Sequence, residues 1–112
     1  MEFVPFEIAK KLKEKGFDWE TTDIYEKNSL ICRYEDYPKP HISEVLEWLR
    51  INKEVDLVIK PSFLYDDNLN RIREYNCDIF APQLNKPYHT SYHNSYELAA
   101  LVGIEYVLNN LI

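Results

Sequence analysis

Apolar positions recur along the chain with two periods, and the first segment carries the helical one. From Pro5 to about Lys15, Ile8, Ala9 and Leu12 share a face, with Phe6 at its margin, while Glu7, Lys10, Lys11, Glu14 and Lys15 cover the other. Pro5 suits a helix start because its missing N–H is one that the first turn leaves unpaired anyway. Gly16 predicts the stop, in a left-handed ending that would bring Phe17 back onto Leu12. The period then changes. Thr21 to Glu26 and Ser29 to Tyr34 read as short strands around a Lys27-Asn28 turn, followed by a loop over Glu35-Asp36-Tyr37-Pro38-Lys39-Pro40.

The helical period returns from about Ile42 to Ile51, where Ile42, Val45, Leu46 and Leu49 form one arc with Trp48 at its edge. Val55 to Ile59 reads as a third strand closed by Pro61, and Tyr65 to Arg71 as a polar turn. From Glu74 to Ala81, Tyr75, Cys77, Ile79 and Ala81 alternate with Glu74, Asn76 and Asp78, which predicts a fourth strand with one wet face. Gln83 to His93 reads as a long loop. A final helix spans about Ser95 to Leu111, opened by Asn94 and Glu97 at capping-box spacing and carrying Leu98, Leu101, Ile104, Val107, Leu108 and Leu111 on a broad apolar arc. The order αββαββα implies an α+β fold, a mainly antiparallel four-stranded sheet packed with three helices, as one domain over residues 1–112.

Composition narrows the function classes. The chain carries 13 basic and 19 acidic residues, a net charge of −6, and its basic residues are scattered. Binding driven mainly by phosphate charge needs a surplus of lysine and arginine, so nucleic acid is an unlikely partner. Only two glycines occur, Gly16 and Gly103, so neither a Walker loop nor a dinucleotide fingerprint can be built. Gly103 interrupts the last helix at a cost of about 1 kcal/mol relative to alanine, which either close approach of a strand or helix, or drift, would account for. No secretion signal or membrane span is legible, and Cys32 and Cys77 form no metal-binding or disulfide pattern, so a reduced cytoplasmic setting is expected.

Candidate chemistry is sparse. His89 and His93 stand four apart, the spacing of paired helical metal ligands, but Pro87 and the cap signal put them in a loop, and a third ligand such as His41 or Asp66 would have to be brought over. Asp66-x-Asn68-x-Asn70 opens like a calcium loop but has arginine in place of the turn glycine and cysteine in place of the bidentate glutamate. No cofactor motif and no catalytic motif is present. Tyrosine is frequent, with nine residues; Tyr34 and Tyr37 flank the acidic proline loop, and Tyr88, Tyr92 and Tyr96 recur every four positions. Tyrosine offers large contact area with a polar tip, so these five form the candidate interaction surface.

Three stretches, Val4 to Phe17 (VPFEIAKKLKEKGF), Pro40 to Arg50 (PHISEVLEWLR) and Ser95 to Leu101 (SYELAAL) with the closing Leu111-Ile112, resemble a group of small uncharacterised bacterial proteins often carried by prophages and mobile elements. His41 stands where that group favours a threonine cap, and the usual glycine after the second helix is missing. The resemblance implies an α+β domain without assigned activity, cofactor or catalytic residues. The expected function is a small non-enzymatic accessory or protein-interaction domain that self-associates. The alternatives are a metal-binding or metal-assisted hydrolase using His89 and His93, and an acidic nucleic-acid mimic of mobile-element origin.

Overall fold

A computed structural model describes residues 3–21, 24–25 and 37–112, with positions 24, 25, 37 and 38 described by backbone alone. Its elements run α1 (Phe6–Glu14), β1 (Ile24–Tyr25), β2 (Tyr37–Pro38), α2 (Ile42–Lys53), β3 (Asp56–Tyr65), β4 (Arg71–Phe80), β5 (Tyr88–His89) and α3 (Tyr96–Asn110). The fold is α+β: three helices lie with an antiparallel three-stranded sheet of order β3-β4-β5, and β1 and β2 make a separate two-stranded ribbon that contacts α1. Among the described residues the main sheet has three strands beside this ribbon, and a fourth strand in it is not shown.

The helix ends follow local chemistry. Gly16 adopts φ +95°, Phe17 N–H donates to Leu12 O at 3.0 Å and Gly16 N–H to Lys13 O at 3.2 Å, the paired bonds of a Schellman ending. Leu12 and Phe17 are both buried in the same core. At α2 the equivalent left-handed position is taken by Glu54, with φ 56°, and Val55 N–H closes on Leu49 O at 3.2 Å. At its start, His41 N–H donates to Glu44 Oε1 at 2.9 Å. The cap of α3 is Ser95, whose hydroxyl accepts from Leu98 N–H at 3.1 Å, one residue later than the Asn94 signal suggested.

The core lies between the helices and one sheet face. Ile8, Leu12, Val45, Trp48, Leu49, Cys77, Ile79, Ile104, Val107 and Leu108 are all buried there. On α3 the buried stripe is Ala99, Ala100, Gly103, Ile104, Val107 and Leu108, whereas Leu98, expected inside, is exposed. Small residues decide this orientation. A Cβ added at Gly103 would stand 2.6 Å from Cys77 Sγ, so α3 rests on β4 at a distance that only glycine permits there. The mid-helix glycine is thus a close-approach position.

Three strand boundaries depart from expectation. Pro61 does not end β3; it sits opposite Tyr75, which exchanges both backbone hydrogen bonds with His93 on the other side at 2.7 Å. In an antiparallel ladder these bonds alternate sides, so Pro61 is in a non-bonded pair with Tyr75 and its nitrogen faces away from β4, where no donor to the β3–β4 ladder is lost. The β3–β4 pairing thereby continues to Tyr65 opposite Arg71. Tyr37–Pro38, expected as loop, forms β2 against Ile24–Tyr25, while the expected strand over 29–34 lies outside the described residues. Within the expected loop of 83–93, Tyr88–His89 pairs with Ile79 and Asp78, and Thr90 ties the junction down by accepting from Cys77 N–H at 2.9 Å through its hydroxyl.

Candidate functional site

Two groupings of side chains stand out, one at the centre of the sheet and one at its far end. The central one lies on the face away from the helices. Asp78 on β4 is opposite Val58 on β3 and His89 on β5. Its carboxylate is 1% exposed: His89 Nδ1 lies 2.5 Å from Oδ1, Asn76 Nδ2 donates to Oδ1 at 3.1 Å, and the Lys60 ammonium contacts Oδ2. Burial pushes this carboxyl up, but the hydrogen bonds and charges of Lys60 and His89 outweigh it and hold it below its ordinary value. The expected wet face of β4 therefore contains a buried charge. Alternation could not reveal this, because Asp78 is covered by side chains that arrive from two other strands.

The cluster ties three strands together and orients one imidazole. With Nδ1 turned to Asp78, His89 keeps Nε2 for solvent, and its side chain is 63% exposed. A carboxylate-held imidazole is suited to accepting a proton or ligating a metal. His93, by contrast, has its Nε2 3.3 Å from Ser91 Oγ and serves β4 through its backbone. Among the described residues no group of three or more His, Cys, Asp or Glu side chains is placed to hold a metal ion. Cys77, the neighbour of Asp78 on the opposite face, is fully buried, and burial first, then the Asp78 charge, pushes its thiol up to about 12. It remains protonated and inert at neutral pH.

The Asp66 carboxylate, considered above as a cation ligand, accepts from the backbone N–H of Asn68 and Asn70 at 2.9 and 2.8 Å and closes the β3–β4 turn. The loop is an Asx turn with Leu69 at φ 63°.

Three of the candidate tyrosines have described side chains. Tyr88 stacks on Tyr106 of α3, with centroids 3.9 Å apart and planes 9° from parallel. Tyr96 meets Tyr75 edge-on at 6.2 Å, and Tyr92 is exposed. Tyr37 contributes backbone to β2, and Tyr34 lies outside the described residues.

The second grouping is an arm. The ten-residue strands β3 and β4 extend about 33 Å at 3.3 Å per residue, and their far half runs beyond Tyr96, where α3 begins. There Phe63 is 47%, Tyr65 67% and Leu69 81% exposed, with Leu64 and Ile72 also open. On the helix-side face the Arg71 guanidinium lies 4.1 Å from the Phe63 ring centroid, and that of Arg73 lies 5.5 Å from Phe63 and 5.2 Å from Tyr75. Sequence reading passed over this grouping. The signal available was the pairing of Phe63-x-Tyr65 with Arg71-x-Arg73 across a short polar turn, hidden by ending β3 at Pro61.

No protein-family model, curated protein or solved structure matches the chain. No helix among the described residues is long and apolar enough to cross a membrane.

Proposed function

We propose that the chain is a small non-enzymatic accessory domain that acts by protein contact, with the β3–β4 arm as its contact element. The observation that carries this reading is the arm itself, a hairpin projecting past the helical layer with Phe63, Leu64, Tyr65, Leu69 and Ile72 exposed. Apolar surface gathered on one projection is costly to leave in water and is typical of contact sites. The resemblance to small prophage-borne proteins and the cytoplasmic setting belong to this reading, as does self-association through the same apolar surface. Its test is a photoreactive phenylalanine analogue placed at Tyr65, with Lys10 on the exposed side of α1 as control, irradiated in host cells. Protein adducts, to another protein or to a second copy, are expected from Tyr65 and not from Lys10. Equal or absent adducts at the two positions would refute it.

The Asp78–His89 contact favours a second reading, that His89 Nε2 ligates a metal ion. A rise in Tm with zinc or nickel that is lost in His89→Ala would support it, and no shift with either metal would remove it.

A further inference from the structure

We propose that the far half of β4 is a docking edge for an extended, acidic segment of a partner protein. This inference rests on the contact reading above and specifies its partner. The reciprocal pair of backbone hydrogen bonds between Tyr75 and His93 fixes which residues of β4 point their backbone away from β3: Tyr75 itself, then Arg73 and Arg71. The strand opposite departs at His93, because Asn94 and Ser95 turn the chain into α3. The N–H and C=O groups of Arg71 and Arg73 therefore face no strand among the described residues, and they can pair with an incoming one.

The side chains beside that edge supply the selectivity. Arg71 and Arg73 lie over Phe63 and Tyr75 and have no carboxylate within ion-pair distance among the described residues. A guanidinium held over a ring face keeps its planar fork of N–H donors available for a carboxylate. A strand added beside β4 places alternate side chains on this same face, within about 4.5–5.5 Å of their cross-strand neighbours. Carboxylates at alternate positions of the partner then meet the two forks in register. The other sheet edge is unsuited to this pairing, since Pro61 removes a donor from the middle of β3. Nucleic acid fits less well than an acidic peptide: two arginines release few counterions from a phosphate backbone, whereas two carboxylates in register suffice for the two forks.

The test uses the full chain, labelled with nitrogen-15, and a synthetic eight-residue peptide alternating glutamate with valine. The amide signals of residues 71–74 are expected to shift saturably, while those of β3 from 57 to 65 do not follow an edge pattern. Affinity should fall at least tenfold for Arg71→Gln/Arg73→Gln, for a peptide with lysine in place of glutamate, and for one N-methylated on alternate residues. Retained signal dispersion shows that the variant is folded. Absence of shifts at millimolar peptide, equal binding of the lysine peptide, or tighter binding of a twelve-residue oligothymidine at the same amides would each overturn the proposal. Crosslinks from Tyr65 to a protein, combined with failure of the acidic peptide, would leave the contact reading standing and remove this inference alone.

Discussion

Replacing Gly103 by alanine sets two well-characterised effects against each other. In the interior of an exposed helix the change gains about 1 kcal/mol from propensity. At this position the new Cβ would stand 2.6 Å from Cys77 Sγ, 3.0 Å from Leu57 Cδ2 and 3.2 Å from Cys77 Cβ, where comfortable contacts begin near 3.5 Å. Leu57 Cδ2 can rotate away, but Cys77 Sγ is held in the fully buried core and its Cβ by the central strand, so α3 must lift from β4. Overpacking of this kind costs roughly 1–3 kcal/mol, and the contact at 2.6 Å places it toward the upper end. A net loss of about 1–2 kcal/mol is expected, read in urea denaturation or as a fall in Tm of roughly 4–8 °C. Cys77→Ala alone removes one buried sulfur and should cost about 1 kcal/mol. The double variant should be at least about 1 kcal/mol more stable than additivity predicts, because each change relieves the other. The reasoning is refuted if Gly103→Ala alone stabilises the protein, or if the two losses simply add.

Further outcomes follow from the polar contacts and helix ends. Asp78→Asn should cost about 1–2 kcal/mol at pH 7, toward the lower end because Lys60 is half-exposed. A carboxyl whose folded pKa is depressed stabilises fully above its unfolded value and loses that contribution as pH falls through the folded one, so the gap between wild type and variant should close below about pH 4 in acid unfolding curves; a constant gap from pH 7 to pH 2 would contradict the ion-pair account. Glu54→Gly should raise stability by about 0.5–1 kcal/mol in urea melts, since Glu54 holds a left-handed backbone at φ 56°, and a loss there would show that its side chain matters more than its backbone. Cys77, with its thiol pushed up to about 12, should be alkylated at pH 8 only as fast as the protein opens; labelling of the Cys77 peptide within seconds in native protein, followed by mass spectrometry, would contradict its burial.

What the chain's own order of residues determined is the set of helices and, at α1, the way the helix ends. Ile8, Ala9 and Leu12 mark the core side of α1, Gly16 supplies the left-handed turn that stops it, and Ile42, Val45 and Leu49 do the same work for α2. These are local effects, settled by side chains three or four residues apart and by backbone geometry at single positions. The strands were legible only where alternation was strong, and their limits were not, because pairing is decided by the opposite strand. Pro61 looks like a stop until Tyr75 is seen to bond the other way. Tyr88–His89 has no strand signature and is held by its neighbours on β4.

The candidate sites were set almost wholly by tertiary structure. Asp78 reads as a wet-face residue and becomes a buried carboxylate only when Lys60 and His89 arrive from adjoining strands. His89 could be named from sequence, but its partner could not. Gly103 raised a question in the sequence that only the packing of α3 against Cys77 answers. Arg71 and Arg73 become a neighbouring pair of donors because the hairpin sets them over Phe63 and Tyr75, on the part of β4 beyond the Tyr75–Tyr96 contact. Local periodicity fixes which way a segment coils; where a charge is buried, and which edge is left open, depends on what the rest of the chain brings against it.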